Sequence, residues 1–154
     1  MKTSVKKSFL NLNNLKLKIL TVTDIKDYCF INNIKYNKIF NLNLYNNNLT
    51  DISGIKLFKN LEYLYLFNNY LTDISAVENM HNLKQLAVQN NQIKDISVIK
   101  NLNNLEDLNI SGLELESDQV KYINSCNNLK ILKCNNGFKD MSVINKLNNI
   151  KIII

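Results

Sequence analysis

Apolar residues recur along this chain with a period of 22. Between residues 39 and 104 one unit is written three times: IFNLNLYNNNLTDISGIKLFKN, LEYLYLFNNYLTDISAVENMHN and LKQLAVQNNQIKDISVIKNLNN. Counted from the first residue of each unit, positions 1, 4, 6, 11, 14, 17 and 20 are apolar in all three copies. In the second copy these are Leu61, Leu64, Leu66, Leu71, Ile74, Val77 and Met80. Positions 3 to 7 follow the two-residue period of a short strand with one face turned inward. From position 14 the spacing becomes three, the period of a 3₁₀ or helical turn that points its apolar face the same way. Such self-similarity predicts stacked repeats, in which no unit buries its core until neighbours cover both flanks.

Two polar positions recur with the apolar ones. Position 9 is Asn47, Asn69 and Asn91, each placed where the chain turns out of its strand. A carboxamide there has both an acceptor and donors for the backbone groups of adjacent coils, which predicts a structural asparagine ladder. Position 13 is Asp51, Asp73 and Asp95, each followed by Ile-Ser, and a short acid there can accept the amides that open the next turn.

The pattern L-x-x-L-x-L-x-x-N-x-L/I-x-D-I-S resembles the leucine-rich-repeat family, specifically the 22-residue class of bacterial internalins and of a eukaryotic phosphatase-1 regulatory subunit. The match is close over residues 39–104 and looser over 17–149. The resemblance implies an α/β fold, a right-handed solenoid with a parallel sheet on its concave face and short 3₁₀ or α segments on its convex face. It also implies protein binding on the concave face.

The flanks depart from the unit. Residues 105–128 form a 24-residue repeat in which Leu113 takes the ladder position. The two extra residues predict a convex α-helix capped by Ser117, with Asp118 at its start and Val120, Ile123 and Cys126 along its inner stripe. Residues 129–149 are one residue short, and Asn136 or Gly137 takes the tight turn. Upstream, Leu17, Leu20 and Val22 predict a first strand in a unit spanning 17–38. The stretch DIKDYCFINNIKYNK that follows has no repeat spacing and predicts an irregular coil. Residues 1–16 read as a lysine-rich arm or cap. At the other end Ile150 and Ile153 fit positions 1 and 4 of a partial strand, 150–154. That edge leaves three readings: a segment of a larger repeat protein, an edge that self-associates, or a tail tucked over the last coil.

Charge changes the picture little. The net charge is +6, but Lys2, Lys6, Lys7, Lys16 and Lys18 lie in the first 18 residues with no acid among them. The other fourteen lysines face thirteen acids, so the solenoid is nearly neutral. Arginine, whose planar fork suits phosphates and bases, is absent, and this argues against a nucleic-acid partner. The opening residues lack the unbroken apolar core of a secretory signal, and no run approaches the length of a membrane span. Cys29, Cys126 and Cys134 are odd in number and unpatterned, which predicts a reducing, cytoplasmic setting.

No catalytic centre, cofactor or metal is predicted. The single histidine, His81, falls on a convex turn, while Cys126 and Cys134 fall at apolar positions where thiols are inert. No glycine-rich phosphate loop, nucleophile elbow or metal-ligand spacing is present. Candidate chemistry is left to the strand positions without core duties, namely 3, 5, 7 and 8. By unit they are Ile19, Thr21 and Thr23; Asn41, Asn43 and Tyr45; Tyr63, Tyr65 and Phe67; Gln85, Ala87 and Gln89; Asp107, Asn109 and Ser111; and Ile131, Lys133 and Asn135. Tyr45, Tyr63, Tyr65 and Phe67 should form one aromatic patch, flanked by Gln85, Gln89, Asp107 and Asn109. Rigid aromatics with polar tips dominate binding hot spots, although aromatics also suit strands for packing alone. The sequence therefore predicts a protein-interaction module, as a targeting or regulatory subunit, binding a protein partner and no small-molecule substrate. The alternative is a structural segment of a larger or self-associating repeat assembly, joined through its C-terminal strand.

Overall fold

The computed structural model describes residues 8–154. Among these, seven strands pair in parallel in chain order. They are β1 (Ser8–Asn11), β2 (Ile39–Asn43), β3 (Tyr63–Tyr65), β4 (Gln85–Ala87), β5 (Asp107–Asn109), β6 (Ile131–Lys133) and β7 (Lys151–Ile153). Each central strand is three to five residues long, because alternation lasts only that far before the chain must turn. Leu64 is fully buried between half-buried Tyr63 and Tyr65, and the seven apolar positions of that unit are all buried. One apolar core runs the length of the stack.

The turns are built by short polar side chains. Asp51, Asp73 and Asp95 each accept the amide of the serine two residues on, at 2.7 Å, opening the 3₁₀ segments Ser53–Leu57, Ser75–Val77 and Ser97–Asn101. The Ser75 amide and hydroxyl hold the Asp73 carboxyl below its ordinary range. Asn69 donates to the carbonyls of Leu44 (3.0 Å) and Leu66 (2.9 Å) and accepts the amide of Leu49 (3.0 Å). Asn91 does the same one unit later, with Leu66, Val88 and the Leu71 amide. Asn47 donates to Leu12 and Leu44 and accepts the amides of Leu15 and Leu17. The three carboxamides are buried and satisfied, so each welds one coil to the one before it.

The N-terminal unit corrects the expectation of a first strand at Leu17, Leu20 and Val22. The first described strand is β1, with Leu10 as its inward position and Leu12 buried just after it, and residues 1–7 lie outside the described residues. Val22–Ile31 is a helix, α1, rather than an irregular coil. Thr21 caps it in a reciprocal box with Asp24: the Thr21 hydroxyl oxygen accepts the Asp24 amide, and the Asp24 carboxylate accepts the Thr21 amide at 2.8 Å. Ile25 and Cys29, one helical turn apart, face inward. Ile19, Thr21 and Thr23 are therefore not strand positions; Ile19 forms an isolated bridge to Asp51.

Two other corrections concern the C-terminal units. Ser117 opens a 3₁₀ turn, Ser117–Gln119, and makes no side-chain cap; the helix proper, α2, is only Val120–Asn124. Val120, Ile123 and Cys126 are buried as the stripe required. In β7 the inward position is Ile152, paired with Leu132, and not Ile153, which pairs with Lys133 and lies on the opposite face. The preceding turn is tighter than its residue count suggested, and a slip of one residue exchanges the faces of a strand.

Candidate functional site

The sheet pairs in strict register from β2 to β6. One row runs Asn41, Tyr63, Gln85, Asp107, Ile131 and the next runs Asn43, Tyr65, Ala87, Asn109, Lys133. Residues at one repeat position therefore stand about 4.8 Å apart across the sheet, and same-face neighbours along a strand about 6.6 Å apart. Tyr45, Tyr63, Tyr65, Phe67, Gln85, Gln89, Asp107 and Asn109 all lie on this one face, and all are half-buried.

The aromatic group is ordered by direct contact. The rings of Tyr45 and Phe67 stack with centroids 4.4 Å apart and planes within 5°. On the neighbouring rows, the Tyr65 hydroxyl donates to Gln85 Oε1 at 2.9 Å. Gln85 Nε2 donates onward to Asp107 Oδ2 at 3.3 Å. Lys133 Nζ donates to both Asp107 oxygens, at 2.9 and 3.2 Å. Tyr65, Gln85, Asp107 and Lys133 thus form a hydrogen-bonded chain across four strands. Burial, then the neighbouring Tyr63 and Asp107, push the Tyr65 phenol up, which keeps it a donor. Ala87, beside Tyr65, has too small a side chain to block the ring from leaning toward Gln85.

The remaining amides behave differently. Asn109 accepts the amide of Ser111 at 3.1 Å and so serves its own turn. The side-chain oxygens of Asn41, Asn43 and Gln89 are occluded from solvent and have no hydrogen-bond partner.

Sequence reasoning missed three features of this region. Phe9 and Asn11 on β1 extend the face, and Phe9 is 54% exposed. The repeat spacing puts the first strand downstream of them, so it leaves them off the predicted face. The rim is formed by position 8, where Asn14, Asn46, Asn68, Asn90 and Asn136 all have φ between 49° and 59°. Asparagine tolerates this left-handed turn, and Gly112 takes it at φ 72°. The recurring second asparagine was the available signal. Asn68 donates to Asn46 at 2.6 Å and Asn90 to Asn68 at 2.8 Å, an exposed second ladder beside the buried one.

Away from this face, His81 is exposed with Nδ1 3.3 Å from the Asn101 carbonyl oxygen. The three cysteines are free and buried. Among the described residues no cluster of His, Cys, Asp or Glu is placed to hold a metal, and no helix is long and apolar enough to cross a membrane.

Comparison with known proteins agrees with this architecture. The family model described as Leucine Rich repeats (2 copies) matches residues 38–79. An internalin from Listeria monocytogenes superposes with a TM-score of 0.71 at 27% identity, over 88% of this chain and 38% of its own. An internalin C2 from the same organism superposes at 0.70 with 28% identity, over 94% of this chain and 59% of its own. A leucine-rich-repeat protein of Leptospira interrogans shares the fold at 24% identity and a TM-score of 0.61. The chain thus spans less than two thirds of the length of either internalin. No protein of curated function matches its sequence. The chain has the leucine-rich-repeat fold and is similar to the internalins. This fold generally serves as a protein–protein interaction module, and such proteins are typically not enzymes.

Proposed function

We propose that this leucine-rich-repeat solenoid is a non-catalytic interaction module that holds a protein partner against its concave sheet, as a targeting or regulatory subunit. The observation that carries this reading is the half-buried aromatic group of Tyr45, Tyr63, Tyr65 and Phe67, with Tyr45 and Phe67 already stacked. Large rings fixed before binding lose little entropy on contact and supply most of an interface's energy. The polar chain from Tyr65 to Lys133 supports it further, because it holds the face rigid beside the rings. The three free thiols support a reducing, cytoplasmic setting for the complex.

Affinity capture from a lysate of the source cells tests the reading, with the intact chain beside a Tyr63→Ser/Tyr65→Ser/Phe67→Ser variant of matched fold. These side chains lie outside the apolar core, so the variant is expected to fold. The expected result is one protein captured by the intact chain and lost from the variant. Equal capture by both removes the aromatic face as the binding site.

A further inference from the structure

The polar side chains of the concave face fall into two groups. Gln85 and Asp107 are committed to the chain linking Tyr65 to Lys133, and Asn109 is committed to its own turn. Asn41 and Asn43 on β2 and Gln89 beyond β4 have side-chain oxygens that are occluded and unpaired. An occluded carbonyl without a donor is unfavourable, so the free protein carries these amides at a loss. Turning them outward to meet a ligand breaks no hydrogen bond, whereas recruiting Gln85 breaks two.

Charge and spacing narrow the ligand. Positions 3, 5 and 7 on and after β2, β3 and β4 carry no charged side chain. The charges beside them neutralise each other, Glu62 with Lys84 at 3.0 Å and Asp107 with Lys133 at 2.9 Å. A charged group buried there would lose its hydration with no counter-charge to receive it. Asn41 and Asn43 stand about 6.6 Å apart along β2, the spacing at which an extended chain repeats its backbone groups on one side. Each carboxamide can donate to a backbone carbonyl and accept from a backbone amide.

We propose that the partner presents an uncharged, extended polypeptide segment that lies along β2, with Asn41 and Asn43 reading its backbone and the β3 aromatics packing its side chains. This rests on the reading of the concave face as the partner site. It assigns specificity to Asn41, Asn43 and Gln89, and leaves Gln85 and Asp107 as residues that position Tyr65.

Selection of a phage-displayed library of random dodecapeptides on the intact chain tests it. The expected consensus lacks Asp, Glu, Lys and Arg, and the affinity of the enriched peptides changes less than about twofold between low and high salt. Asn41→Ala/Asn43→Ala should weaken these peptides about tenfold or more. The same variant should melt no lower than the parent, because neither oxygen is hydrogen-bonded in the free protein. Gln85→Ala should cost less than about threefold. A charged, salt-sensitive consensus, an unchanged affinity in the asparagine variant, or failure to enrich any peptide each overturns the proposal. Charged peptides that still lose affinity with the Tyr63→Ser/Tyr65→Ser/Phe67→Ser variant overturn this inference alone. Enriched peptides that bind that variant as tightly as the intact chain overturn the concave-face reading itself.

Discussion

A methyl group placed on Gly54 would lie 2.2 Å from the carbonyl oxygen of Thr21. The Leu20 carbonyl oxygen would be 2.6 Å away, and in the native chain it accepts the Gly54 amide at 2.7 Å. The corresponding positions in the next two units are Ala76 and Val98, so the repeat itself does not require glycine. Gly54 is needed because the chain entering α1 passes directly over it, docking the N-terminal unit on the first regular coil.

Gly54→Ala should therefore cost about 3 kcal/mol, since backbone rather than a flexible side chain occupies the space. Chemical denaturation measures the loss. Hydrogen exchange should show the opening concentrated in α1, and uniform exchange along the chain would contradict this account of the docking.

Asn69→Ala should cost about 2–3 kcal/mol. The Leu44 and Leu66 carbonyls keep partners in Asn47 and Asn91, but the Leu49 amide loses its acceptor. Asn69→Asp should cost more, because a carboxylate would face those two carbonyls without a donor. A denaturation series comparing the two variants tests this order.

Acid should destabilise the solenoid below about pH 4. The carboxyls of Asp73 and Asp140 are lowered by hydrogen bonds from Ser75 and Ser142, and that of Asp24 by Thr21. A depressed carboxylate contributes stability that is complete above its unfolded pKa and is lost as pH falls through its folded one. Urea midpoints across the acid range should fall accordingly, and Asp73→Asn should flatten part of that slope.

Native thiols should resist alkylation. Burial pushes the Cys126 thiol up to about 11, and burial also raises Cys29 and Cys134. Thiol-reagent uptake at neutral pH should follow unfolding in urea. Rapid labelling of a native thiol would show that the coil around it opens locally.

The repeat was legible because its physics is local and periodic. Leu64 must face inward between Tyr63 and Tyr65 whatever surrounds it, and Asp73 closes its turn on a serine two residues away. Residues 39–104 therefore declared the architecture, and the concave columns followed from it. The N-terminal unit is not legible in this way because Leu17 and Leu20, spaced three apart, belong to the turn of a longer coil whose strand lies upstream around Leu10. Only packing against Gly54 reveals that arrangement.

By itself, then, the sequence determined the stack, its inward face and the membership of the aromatic patch, since a strand's alternation assigns sides without knowing its neighbours. Tertiary structure decided which of those side chains are occupied. Gln85 and Asp107 meet Tyr65 and Lys133 only because separate coils lie in register, while Asn41, Asn43 and Gln89 are left unpaired. Residues 20 or more positions apart become neighbours through the length of each coil, a distance set by packing and invisible to any local pattern.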